Sequence, residues 1–83
     1  MSKILQDISI GDNLRRIRQK QGLTQREVCA QLAIAGRPMS QSTYAQIETG
    51  VRNIFVSDLI AIKSILKAEY SDFFNGLVPI MKF

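Results

Sequence analysis

Gln41, Ser42, Thr43 and Gln46 stand close together in the stretch MSQSTYAQIETG, Met39–Gly50. Amides and hydroxyls at that density supply hydrogen-bond donors and acceptors, not nucleophiles, proton relays or metal ligands. A glutamine can bond adenine N6 and N7 bidentately in the major groove of a duplex, while hydroxyls serve base edges or phosphates. The apolar Tyr44 and Ile47 have helical spacing and are expected to bind one face of a short helix to a core. Gln41, Ser42 and Gln46 then fall on the other face. The stretch carries a single charge, Glu48. Composition by itself favours a simpler reading, in which these are ordinary solvated residues.

Other chemistries find little support. The chain has no histidine and one cysteine, Cys29, which lies between Val28 and Ala30. It can form no internal disulfide and is expected to be a small buried residue, with no histidine to activate its thiol. The carboxylates are scattered, and neither a glycine-rich phosphate loop nor a metal-ligand cluster is present. The expectation is therefore a binding protein with no cofactor and no metal, not an enzyme. No apolar run reaches the roughly 18 residues of a membrane span, and the N-terminus lacks the apolar region of a signal peptide. A cytoplasmic location without membrane contact follows as an expectation. With 83 residues the chain is expected to be one domain.

Charge is unevenly placed. Lysine and arginine outnumber aspartate and glutamate 11 to 7, and the isoelectric point is about 9.6. Between Asn13 and Arg52 the basic residues are Arg15, Arg16, Arg18, Lys20, Arg26, Arg37 and Arg52, against only Glu27 and Glu48. A segment of that kind fits a face that meets a polyanion, or a solvated surface with a modest arginine excess.

The elements that must position these residues read as five short helices between a leader, residues 1–8, and an apolar tail, residues 77–83. The first is expected over Ile10–Lys20, capped by Ser9, with Asp12 at its positive end and Gly22 beyond its last turn. The second follows Thr24, because Thr24-Gln25-Arg26-Glu27 fits a reciprocal capping box. It buries Val28, Cys29, Leu32 and Ala33 and stops near Ala35, ahead of Gly36 and Pro38. The third covers Gln41–Thr49 with Ser40 as cap. The fourth covers Asp58–Lys67 with Ser57 as cap and a stripe of Leu59, Ile62 and Leu66. The fifth lies over Tyr70–Asn75 and buries Tyr70, Phe73 or Phe74. The tail LVPIMKF could at most form an edge strand, given Pro79.

A capped helix, a glycine-containing turn and a second short helix with a polar outer face describe a helix-turn-helix, whose second helix enters the major groove of DNA. Thr24 and Gln25 at the start of the second helix, with its free backbone N–H groups, are placed to meet a phosphate. The stretches IGDNLRRIRQKQGLTQREVCAQL, SQSTYAQIETGVRN and VSDLIAIKSILKAEYSDFF together resemble the Xre/Cro–repressor type of helix-turn-helix domain over about residues 10–75. That resemblance implies an all-α, five-helix, lambda-repressor-like fold that binds double-stranded DNA as a homodimer. It implies Gln41, Ser42 and Gln46 at base edges, Gln25 on a phosphate, and Thr43 on a base or phosphate. It puts Arg52 and Asn53 near the DNA backbone. It also implies a buried ion pair between Arg18 and Glu48, so that the one acid of the third helix turns inward.

Two features depart from the common family pattern. The turn AIAGRPMS is longer, as in a subgroup of the family. Arg37 within it is placed with the backbone contacts, a solvated position being the equal alternative. Lys67 stands where a glycine often ends the fourth helix. The alternative function is a protein-interaction module, such as an antitoxin or a partner-sequestering regulator. Its patch would comprise Ile54, Phe55, Leu77, Val78, Ile80 and Phe83. The tail is also a candidate dimer contact.

Overall fold

The computed structural model describes residues 3, 4 and 6–81. Five helices follow in chain order: α1 Gly11–Lys20, α2 Gln25–Ile34, α3 Gln41–Thr49, α4 Val56–Ile65 and α5 Tyr70–Phe74. Two short extended pieces, β1 Lys3–Ile4 and β2 Ile54–Phe55, pair antiparallel, with Ile4 opposite Ile54 and Lys3 opposite Phe55. Part of the expected leader is therefore joined to the domain. Residues 1, 2 and 5 of the leader, and Phe83 of the expected apolar patch, lie outside the described residues.

Local chemistry explains most helix starts. Thr24 Oγ1 accepts the Glu27 N–H at 3.1 Å and Glu27 Oε1 accepts the Thr24 N–H at 2.9 Å, which completes the capping box. Ser40 Oγ accepts the Thr43 N–H at 3.1 Å and so caps α3. The start of α1 differs from expectation, because Ile10 holds the cap position and has no side-chain oxygen to offer. Ser9 Oγ instead accepts from Gly11 N at 2.9 Å, and Gln6 Oε1 accepts from Ile10 N at 3.1 Å. The start of α4 also differs: the helix begins at Val56 with Phe55 before it, and Ser57 lies inside the first turn. The β1–β2 pairing keeps the chain extended up to Phe55, so the helix starts there, ahead of the serine.

Helices α1 to α4 end on a left-handed residue, at Gly22, Gly36, Gly50 and Lys67. Only Lys67, at φ 53°, carries a side chain there, at a cost of about 1 kcal/mol relative to glycine. Its N–H reaches Ser64 O at 3.2 Å and the Ala68 N–H reaches Lys63 O at 3.1 Å, so the turn still closes as it would with glycine.

The core is built from Ile10, Leu14, Val28, Leu32, Tyr44, Ile47, Ile54, Leu59, Ile62, Leu66, Ala68 and Phe73. Of the three aromatic candidates on α5 only Phe73 is buried, while Tyr70 and Phe74 are exposed. Ala33 faces solvent and Cys29 is half-buried. Ile54, expected in an exposed patch, is a core residue, packed in the cluster with the other buried side chains. Val78–Met81 form no strand.

Two contacts set α1 in place. Gly11 lies against α3 so closely that an added Cβ would run into the carbonyl oxygens of Glu48 and Ile47. Buried Asn13 donates its Nδ2 to Phe73 O at 2.9 Å and Asn75 O at 3.0 Å, which ties α1 to the end of α5.

Candidate nucleic-acid interface

The inner face of α3 is fixed at three residues. Tyr44 and Ile47 are in the core, and Glu48 is buried beside Arg18 of α1. Arg18 Nε meets Glu48 Oε2 at 2.6 Å and its Nη2 meets Glu48 Oε1 at 3.0 Å, a two-pronged pair. Arg18 Nη1 also donates to Leu23 O at 2.9 Å, so the guanidinium braces the turn that leads into α2. Burial pushes the Glu48 carboxyl toward its neutral form, but the hydrogen bonds from Arg18 and Gln25 outweigh it and hold its pKa below the usual value. The Arg18 guanidinium is held charged still more firmly by its bond to Glu48. The only acid on α3 is thus neutralised inside the protein and does not repel a phosphate.

Gln25, expected on a phosphate, sits at the first position of α2 and donates through Nε2 to Glu48 Oε1 at 3.1 Å. One amide hydrogen of Gln25 remains for an outside acceptor. The N–H groups of the first turn of α2 have no acceptor within the helix, so the positive end of its dipole points outward beside that amide.

Gln41 and Ser42 are exposed on the first turn of α3, and Gln46 is half-buried one turn later. Ser42 and Gln46, four residues apart, are neighbours on one side of the helix, with Gln41 next to them on the first turn. Around them the acceptor atoms are already engaged. Gln46 Oε1 accepts from Arg52 Nε at 2.9 Å. Asn53 Oδ1 accepts the Gln6 N–H at 3.2 Å. Thr43 Oγ1 accepts from Ser40 Oγ at 3.0 Å, and Thr24 Oγ1 is used in its own cap. Each residue keeps unspent N–H or O–H hydrogens. The surface that results is rich in donors and suits an acceptor-only partner such as phosphate.

Arg37 is placed differently from a free basic contact. Its Nε bonds Asp58 Oδ1 at 2.8 Å, and Asp58 is buried on the first turn of α4. The pair fastens the long turn between α2 and α3 to α4, and leaves the terminal nitrogens of the guanidinium with hydrogens to spare. The Asp58 bond, the Gln25–Glu48 bond and the role of Gly11 have no local signal in the sequence, since each joins residues far apart in the chain.

Burial, and next the charge of Glu48, push the Cys29 thiol toward its protonated, unreactive form. Among the described residues no group of three or more histidine, cysteine, aspartate or glutamate side chains could hold a metal ion. No helix of the described chain is long and apolar enough to cross a membrane.

A family model described as a helix-turn-helix domain matches residues 9–72, which span α1 to α4 and most of α5. No curated protein and no solved structure matches the chain.

Proposed function

The chain belongs to the helix-turn-helix domain family, and from that premise we propose that it is a sequence-specific transcriptional repressor of the Xre/Cro type. It acts in the cytoplasm as a homodimer and reads the major groove with α3. Gln41, Ser42 and Gln46 meet base edges; Thr24, Gln25, Thr43, Arg37, Arg52 and Asn53 meet the DNA backbone. The observation that carries the reading is the division of α3. Tyr44, Ile47 and Glu48 are locked inward, and the amides and hydroxyl of Gln41, Ser42 and Gln46 are left on a donor-rich outer surface. A base reader needs rigidly held amides and hydroxyls and nothing more reactive.

Exposed apolar residues support the homodimer. Phe74, Val78, Ile80 and Met81 lie open at the C-terminal end of the described chain, beside an apolar groove floored by Ile10 and Ile54. In a homodimer of this kind the two α3 helices would meet half-sites about one helical turn apart, roughly 34–36 Å. The same exposed residues keep a protein-interaction module as the second reading.

Selection of bound sites from a random duplex pool, followed by mobility shifts at two salt concentrations, tests the function. The expected result is an enriched pseudo-palindrome. Its log affinity should fall against log salt by about 0.9 per phosphate contacted. No shift even at low salt, with another protein co-purifying, would favour the interaction module.

A further inference from the structure

We propose that Arg52 sets the base that Gln46 reads, turning a side chain suited to adenine into one that selects a G·C pair; the inference rests on α3 lying in the major groove. Gln46 Oε1 accepts from Arg52 Nε at 2.9 Å. An arginine side chain carries donors only, so the end of the Gln46 amide that faces it must be the oxygen. This orientation follows from chemistry, not from a choice between two similar-looking ends.

The position of the pair is built into the end of α3. Gly50 turns the chain left-handed, and Val51 N then bonds Gln46 O at 3.1 Å. Thr49 Oγ1 donates to the same oxygen at 3.2 Å. The backbone of Gln46 is thus bonded to Val51 while its side chain is bonded to Arg52. The chain folds back over this one residue, and Arg52 is delivered to the outer edge of α3. Neither side chain has another hydrogen-bond partner among the described residues, and neither belongs to the Arg18–Glu48 brace.

The consequence is a change in what the pair offers a base. A bidentate bond to adenine needs a glutamine oxygen for the N6 amino group and a glutamine N–H for N7. Here the oxygen has one lone pair occupied and a positive charge beside it, which opposes an arriving amino group. The unspent atoms are the two Nε2 hydrogens of Gln46 and the four terminal hydrogens of the Arg52 guanidinium, all donors. Guanine is the base that shows two adjacent acceptors, N7 and O6, in the major groove, while adenine and cytosine place an amino group there.

Site selection with the wild-type chain, Gln46→Ala and Arg52→Ala tests this, with a thermal melt of each to show that the fold persists. Gln46→Ala should mark the position, by reducing its base preference about tenfold or more. In the wild-type profile that position should be G·C in each half-site. Arg52→Ala should lower affinity generally and, at the marked position, exchange G·C for A·T. The inference is overturned if the marked position is A·T in the wild type, or if Gln46→Ala alters no position. It is also overturned if Arg52→Ala weakens every site alike with the preferred base unchanged, the result for a phosphate contact alone. A wild-type chain that enriches no sequence overturns the DNA-reading function itself, a result distinct from an enriched site that lacks the G·C pair.

Discussion

Tyr44 holds the least comfortable atom of the core. Its ring is fully buried, and its hydroxyl lies beside the Glu48 carboxylate without a hydrogen bond of good geometry. Burial, and next the nearby Glu48 charge, push its pKa well above the ordinary 10.0. A group with a raised folded pKa stabilises the fold fully below its unfolded value, and loses that contribution as pH rises beyond it. The wild-type melting temperature should therefore decline above about pH 10. Tyr44→Phe should remove that part of the decline and, at neutral pH, change stability by no more than about 1 kcal/mol, because the hydroxyl it deletes makes no well-formed hydrogen bond. Melting curves from pH 7 to 11 for both proteins check this; a large loss of stability in the Phe variant at pH 7 would mean the hydroxyl is bonded. Glu48 works in the opposite sense. Its folded pKa is lowered, so its contribution is present above the ordinary value of 4.5 and is lost as pH falls through the folded value. The wild type should lose stability below about pH 4.5, whereas Glu48→Gln should be less stable at neutral pH and flatter in acid. Removing one partner strands a buried charge, so Arg18→Ala should cost roughly 3–5 kcal/mol, read as a lowered melting temperature at neutral pH. An unchanged melt in Arg18→Ala would mean that Glu48 is solvated.

Between elements, the closest approach is at Gly11. A Cβ there would strike the backbone of α3 at Ile47 and Glu48, and backbone cannot swing aside as a side chain can. Gly11→Ala should push α1 from α3, loosen the Arg18–Glu48 pair and destabilise by about 2–4 kcal/mol, at the high end for overpacking. Denaturant titration measures it, and a loss under about 0.5 kcal/mol, the level of a surface substitution, would show that the two helices approach less closely. The sequence discloses an element when its signal is local. The Thr24–Glu27 box and the Ser40 cap are legible because cap and partner lie within one turn, and the stripes of Leu14, Val28, Leu32, Leu59, Ile62 and Leu66 follow helical period. The start of α4 is not legible in that way. Ser57 has the right chemistry for a cap, but the pairing of β2 with β1, some fifty residues earlier in the chain, decides where the helix begins. Gly11 reads as a weak helix residue until α3 is placed against it. Arg37 reads as one more surface cation until Asp58, 21 residues on, is found to hold it. The Arg18–Glu48 pair, 30 residues apart, is legible only through resemblance to other helix-turn-helix chains.

At the scale of the whole molecule, the cations expected to meet DNA and the exposed apolar residues sit on different elements. The cations Arg26, Arg37 and Arg52 belong to α2, to the turn before α3 and to the loop after it, whereas the exposed Phe74, Val78, Ile80 and Met81 belong to α5 and the segment beyond. One half-site engaged by so small a surface binds weakly, and linking two copies raises the apparent affinity by about 10²–10⁴ without any new base contact. If the apolar end supplies that link, Val78→Asp combined with Ile80→Asp should separate dimer formation from base reading. Val78 and Ile80 are 73% and 55% exposed, so the charges should leave the fold intact, which the melting temperature will show. Sedimentation should then find a monomer where the wild type sediments as a dimer. Affinity for a full two-half-site duplex should fall about 100-fold or more, while affinity for an isolated half-site stays within about twofold, because the substitutions touch neither α3 nor its flanking loop. A double variant that remains dimeric would place the seam elsewhere on the surface. Equal losses on the full site and the half-site would mean that the tail itself contributes to DNA contact, since dimerisation acts only where two half-sites are present.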